Sequence, residues 1–293
     1  MALRDRLVSV VRLGFRSKAF ARHVYQKVAA ITVGPVIVSA PVQRLRAGLA
    51  ARRSPVTVPA LRVAITAHAY YPDIIPEILA CRAVLPYAVP LHLTVPQDKV
   101  EAAAAQLVGI ENVTIHHCAN RGRDIAPFVM LLNAGVFDGF DAVLKLHTKR
   151  SPHLLDGEVR RKMLFLALCG ERRATLQALA AFERPATGMV GWDACWREAP
   201  PYWMANRARV EEVARRMGAS ESATRLGFFE GSMFWFRPAA LAALRELDLA
   251  LEEFEAEAGQ VDGTLHHALE RCFTIAGWAR GYEVRDMKGR LLG

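Results

Sequence analysis

Cysteine is scarce in this 293-residue chain and follows no pattern. Cys81, Cys118, Cys169, Cys195 and Cys272 are odd in number, widely scattered and without CxxC spacing. That excludes a disulfide framework and a cysteine-based zinc site, and fits free thiols in a reducing cytoplasm. No uncharged run reaches the ~20 residues that a membrane-spanning helix needs. The nearest approach, residues 28–43, is interrupted by Gly34, Pro35, Ser39 and Pro41. Nothing at the start reads as a cleavable signal peptide. There is no internal repeat, and no low-complexity tract beyond alanine enrichment. Most of the chain also lacks an excess of charge. Residues 61–293 carry 27 basic and 28 acidic side chains, so the formal charge of +9 comes from the first 60 residues, where eleven Arg and Lys face one acid, Asp5. A nucleic-acid-binding body would carry a basic face, so no nucleic-acid partner is expected.

What is present reads as a globular protein, with 52% apolar and 23% charged residues. The composition changes near residue 60. We divide the chain there into a basic helical leader and linker, 1–60, and one α/β domain, 61–293. In the leader, Leu3, Leu7, Val10 and Val11 stripe a predicted helix over 1–27, with Arg12 and Arg16 turned away. Such a helix either lies on an anionic membrane surface or packs on the body with its arginines in solvent. The pattern fits both. Residues 44–60, rich in Arg, Ala and Pro, read as the linker.

Through the first half of the body, short β-branched runs alternate with helical stretches. Strands are predicted over 61–67, 90–95, 113–118 and 142–146, and helices over 74–85, 98–108 and 124–134, with Asp98 placed to cap the second helix. This spacing indicates βαβ units and a mostly parallel sheet flanked by helices. The second half is less regular. Helices are expected over 158–168, 171–183, 207–217, 238–247 and 262–275, and a short strand over 188–192. The aromatic run 228–236 reads as one buried strand bent at Gly231.

Polar clusters stand at the predicted strand exits, where open α/β sheets place their ligands. His68 and Tyr70 end the first strand. After the third comes Asn120-Arg121-Gly122-Arg123-Asp124. Gly122 permits a tight turn or a close backbone approach, and Arg121 and Arg123 offer planar forks for phosphate or carboxylate. A surface ion-pair cluster would explain the two arginines as well. Asp124 suits a hydroxyl ligand, or caps the next helix. Lys145 falls inside the fourth strand between Leu144 and Leu146, so it needs a partner or a solvated site. His147, Thr148 and Lys149 follow, and His147 and Lys149 suit a diphosphate. A metal held by His147 and His153 would lack the carboxylates that a divalent cation beside a diphosphate prefers. Glu230, followed by Gly231 and Ser232, is either a carboxylate with a role or a satisfied core residue holding a loop. Asp262 is either an N-cap or a general base projected into a cleft.

Four segments then stand out together: Asn-Arg-Gly-Arg-Asp-Ile-x-Pro-Phe from Asn120, Lys-x-His-Thr-Lys-x-Ser from Lys145, Glu-Gly-Ser-Met-Phe-Trp-x-Arg from Glu230, and Asp-Gly-Thr-x-x-His-x-x-Glu-Arg from Asp262. In this order they resemble the rhamnan synthesis protein F family over about residues 61–282. The resemblance implies work on bacterial cell-surface polysaccharide or lipopolysaccharide, by glycosyltransferases or glycosyltransferase-like domains. The motif order is also similar to a nucleotide-sugar transferase of the GT-A type, which implies a GT-A-like, Rossmann-type sheet. On that likeness His68, Tyr70, Asn120, Arg121, Arg123, Asp124, His147, Thr148, Lys149 and Ser232 bind substrate. Asp262, with Glu230 second, deprotonates the acceptor. Transferases of that type carry an Asp-x-Asp metal motif after the fourth strand, where this chain has His147-Thr148-Lys149. No cofactor is firmly implied, and a divalent metal lacks its usual motif; side-chain cations could replace its charge on the leaving group. The implied partners are a nucleotide-sugar donor and a glycan or lipid-linked glycan acceptor. The expected location is cytoplasmic, at the inner membrane face through residues 1–60. A non-catalytic glycan- or nucleotide-binding module is the alternative.

Overall fold

The computed structural model describes residues 28, 31–43, 45, 57–148, 150 and 157–293. The expected helix over 1–27, most of the linker, Lys149 and His153 lie outside the described residues.

The body is built on a mixed α/β sheet. Strands β1 (Val63–His68), β2 (Leu91–Pro96), β3 (Val113–Cys118) and β4 (Ala142–His147) pair in parallel, with β1 between β2 and β4. The later strands are β5 (Thr187–Gly191), β6 (Trp196–Glu198), β7 (Gly227–Phe229), β8 (Phe234–Phe236) and β9 (Glu283–Asp286). The seven-stranded order is β3-β2-β1-β4-β8-β5-β9. Only β8 runs against its neighbours β4 and β5, and β9 is parallel to β5. The start of β8 therefore lies at the same edge as the ends of the other six strands. β6 and β7 form a separate antiparallel pair.

Both faces of the sheet are covered, as a largely parallel sheet requires. Every residue of β1 and β4 is buried. On one face Ile65, Leu144 and Leu146 join a core with the helices Ile75–Val84, Gly157–Cys169 and Arg172–Ala180. On the other, Ala64 and Val143 meet the helices Ile125–Asn133, Arg207–Arg216 and Leu265–Ala279. The last of these has an apolar face in sequence but is buried on nearly every side, because it runs through the centre of the second core.

The first four strands stand within two residues of their expected bounds. Other elements differ. The helix expected over 98–108 contracts to Val100–Ala105 behind a 3-10 turn, and Asp98 makes no side-chain cap. The aromatic run is not one strand. Gly231 (φ 94°) and Ser232 (φ 45°) turn the backbone, so β7 and β8 enter different sheets. The stretch 238–247 divides into a 3-10 turn, Pro238–Leu241, and a single helical turn, Ala242–Arg245. The final helix starts at Leu265 with Thr264 at its N-cap, so Asp262 is not the cap; Gly263 at φ 82° separates the two. β6 and β9 were not expected, being short and charged.

Candidate functional site

The chain leaves β1 toward β2 and β3 on one side and returns to β4 on the other. The β1–β4 boundary is thus the switch point of the sheet, and a crevice outside the strand ends is the usual ligand position there. His68 and His147 are register partners across this boundary. Thr148 clasps the two exits. Its N–H donates to the His68 carbonyl at 3.0 Å, and its hydroxyl accepts from the Tyr71 N–H at 2.9 Å. Tyr70 packs edge-on against Tyr71, and the Arg150 guanidinium lies over the Tyr71 ring. His68 is buried, with Nδ1 2.9 Å from the Thr94 hydroxyl. Burial lowers its pKa to about 4, opposed by the Asp124 carboxylate and helped by His147 and Lys145. At neutral pH it is an uncharged imidazole.

Behind these exits lies a buried ion pair. Strand alternation points Lys145 and His147 into the second core with Val143. Lys145 Nζ donates to Asp124 Oδ2 at 2.7 Å and to the Ser232 carbonyl at 3.0 Å. Ser232 Oγ donates to the same Asp124 oxygen at 2.8 Å. Phe128 and Phe273 place their rings 5.2 Å and 5.7 Å from the ammonium. Asp124 does occupy the N-cap position of the helix Ile125–Asn133, but it makes no side-chain cap; its carboxylate serves Lys145 and Ser232 instead. His147 Nε2 donates to the Gly231 carbonyl at 2.8 Å, which sets its tautomer.

The two motif arginines brace a neighbouring segment. Arg121 donates to the carbonyls of Glu252 and Phe254 and forms a β-bridge with Ala256. Arg123, at φ 55°, pairs with Glu257 at 3.7 Å, donates to the Gln260 carbonyl, and donates to His267 Nε2 at 3.2 Å. His267 Nδ1 then carries the proton toward the Thr264 hydroxyl at 2.6 Å. Burial first, then His266 and Arg123, lowers the His267 pKa to about 3. Gly122 is required where it stands. Its φ is 63°, and a Cβ there would lie 2.5 Å from the Ala126 Cβ and 2.8 Å from the Phe254 ring. Asn120 is exposed.

The last two motifs meet at the turn before β8. Glu230 lies between two guanidinium groups, 3.1 Å from Arg160 and 2.6 Å from Arg197. Glu270 Oε1 accepts from the Gly231 N–H at 2.7 Å, and its other oxygen is 3.2 Å from Arg271. Arg271 in turn stands 3.9 Å from Asp262. Asp262 accepts from the Ala205 N–H at 3.1 Å and from the Asn206 side-chain amide, and Asn206 Oδ1 accepts from the Gly263 N–H at 3.0 Å. A path of polar contacts therefore runs from Asp124 through Lys145 to Ser232, passes along the chain to Gly231, and continues to Glu270, Arg271 and Asp262, with His147 joining at Gly231. All four sequence segments are on it or bonded to it.

The model of the family described as rhamnan synthesis protein F matches residues 45–282. That is most of the chain. The chain belongs to the rhamnan synthesis protein F family. Two curated relatives from Xanthomonas campestris pv. campestris, strains B100 and ATCC 33913, are each described as the uncharacterized protein WxcX. Each is 32% identical over 231 residues, covering 78% of this chain and 33% of the relative. The chain thus spans about a third of the length of these relatives. The family ties it to rhamnan-type polysaccharide synthesis.

In this family member the structure gathers His68, Tyr70, Asp124, His147, Thr148, Ser232 and Glu230 along one sheet edge, and links Asp262 to them through Glu270 and Arg271. Arg121 and Arg123 are bonded to the 252–260 segment, and Lys149 lies outside the described residues. Lys145 and Glu270 are the members that sequence reasoning did not place in the site. The signals were an ammonium between two leucines, and a glutamate at the end of the fourth segment. Asn206 had no local signal. Among the described residues no three His, Cys, Asp or Glu side chains group as metal ligands, and no helix is long and apolar enough to cross a membrane.

Proposed function

We propose that this family member is a glycosyltransferase moving a sugar from a nucleoside-diphosphate sugar to a growing cell-surface glycan, at the cytoplasmic side of the membrane. The observation that carries this reading is the joining of four sequence-distant segments by polar contacts at the β1–β4 switch point. A mostly parallel sheet with its polar loops on that edge supports a GT-A-like assignment. Tyr70 and His68 line the nucleotide side, with Asn120 at the rim. Lys149 meets the diphosphate and stabilises it as it departs; His147 and Thr148, both buried, reach it by giving up their bonds to Gly231 and Tyr71. Asp124 and Ser232 act on the donor site only indirectly, by fixing the turn before β8 through the buried Lys145. Arg121 and Arg123 reach it by giving up their bonds to the 252–260 segment.

Asp262 is the proposed base, with Glu230 second. The acceptor hydroxyl loses its proton to the carboxylate as its oxygen bonds to the anomeric carbon. The bond from that carbon to the diphosphate breaks, and the diphosphate leaves with the electron pair. Asp262 keeps acceptor sites beyond the two taken by Ala205 and Asn206. The test is a transfer assay over a panel of nucleotide-sugars and glycan or lipid-linked acceptors, run with Mg²⁺ and with EDTA to read metal dependence. Asp262→Asn and Lys149→Ala should each lower transfer by about 100-fold or more. Wild-type rates in both variants would sink the mechanism.

The replacement of Asp-x-Asp by His147-Thr148-Lys149 favours a second reading, a glycan- or nucleotide-binding module within an assembly complex. Calorimetry that finds nucleotide-sugar binding without turnover supports the module over the enzyme.

A further inference from the structure

Exposed aliphatic side chains are concentrated in one stretch of the chain. Among the described residues, five of the eleven exposed large apolar side chains fall within 28–45: Val28, Ile31, Val33, Val36 and Leu45, each at least half exposed. The short helix Gly34–Ile37 in this segment packs against the helix Gly157–Cys169. Only Gly34 of its residues is buried, while Val33 and Val36 stay exposed. The small residue meets the body, Ile37 is half-buried, and Val33 and Val36 face outward.

Residues 28–43 contain no charged side chain. Seven Arg and Lys precede them in the chain and four Arg follow by residue 53, against the single acid Asp5. Exposed aliphatic side chains on a stretch flanked in sequence by cations are complementary to an anionic lipid surface, where aliphatic groups enter the headgroup boundary and cations are drawn to the phosphates. The sixteen uncharged residues are fewer than a span needs, and Pro35 and Pro41 interrupt a straight helix. The segment is suited to lie in the interface. We propose that residues 28–45 are an interfacial anchor that docks this chain on an anionic bilayer. The proposal does not rest on the transferase reading.

The test is co-sedimentation of the full chain with vesicles of phosphatidylcholine, alone or with about 30 mol% phosphatidylglycerol. The expected result is binding to the anionic vesicles, at least about tenfold weaker binding to the neutral ones, and release near ~0.5 M salt. The triple variant Val28→Ser, Ile31→Ser, Val36→Ser should lose about tenfold in partitioning with an unchanged thermal unfolding midpoint. Failure of the wild-type chain to bind, or equal binding by the triple variant, overturns the proposal. So does a wild-type dimer in light scattering that the triple variant abolishes without any vesicle binding, because the patch would then be covered by a second copy. No donor or acceptor is present, so the outcome is separate from that of the transfer assay.

Discussion

Lys145 occupies a position that an ammonium tolerates only with a partner, buried in β4 between two phenylalanine rings. Asp124 and Ser232 supply what it needs. Removing one member of such a pair strands the other charge, so Lys145→Met should destabilise the fold by about 3–5 kcal/mol in chemical denaturation. The double variant with Asp124→Leu should regain much of that loss, since an apolar pair leaves no charge behind. His68 makes a second residue-scale prediction. Its folded pKa of about 4 lies below the ordinary value of 6.5. Between those values the unfolded chain binds a proton that the folded chain refuses. Its contribution is complete above pH 6.5 and is lost as the pH falls to 4, by about 3 kcal/mol. Denaturation midpoints across this window should fall, and His68→Gln should flatten the slope. At this scale the sequence was half legible. An ammonium among leucines announced that Lys145 wanted a partner, yet nothing local pointed to Asp124, twenty-one residues away. Arg121 and Arg123 looked free for a ligand because the segment they brace lies some 130 residues later.

Two turns carry the site's elements. The turn at Gly122 brings its backbone against Phe254 at a left-handed φ, so Gly122→Ala meets both strain and overlap. We expect a loss of about 2 kcal/mol or more in thermal or chemical unfolding. The Gly231–Ser232 turn is held by Glu270 on one side and by His147 and Lys145 on the other. Glu270→Gln keeps one acceptor for the Gly231 N–H but gives up the charge beside Arg271. In the transfer assay it should lower kcat with little change in unfolding midpoint, whereas Glu270→Ala should lower both. The parallel half of the sheet was readable because β-branched runs alternate with helical spacing. The aromatic run was not, since hydrophobicity cannot distinguish one bent strand from two that part at a turn. β9 was hidden for the opposite reason: Glu283, Arg285 and Asp286 give a strand no apolar signature.

For the whole molecule, the charge division near residue 60 can be tested by deletion. Among the described residues, the buried members of both cores run from Val63 onward, with Leu61 packed against one of them. A chain shortened to residues 57–293 should therefore unfold in one cooperative step, within a few degrees of the full chain, while losing its attraction to anionic vesicles. A broad or multi-step transition would show that the leader is part of the fold.

β8 has a consequence for the order in which this protein matures. Its partners in β4 lie some ninety residues earlier, and Glu270 and Asp262 come later still. β1 to β4 can pair as soon as they leave the ribosome, but the turn that completes the edge arrives with the last quarter of the chain. Until then Lys145 has Asp124 and the Phe128 ring but not Ser232 or Phe273, and His147 lacks the Gly231 carbonyl. A nascent or prematurely terminated product would hold a formed half-sheet and no assembled site, so the transfer activity proposed above should appear only after synthesis passes the final helix.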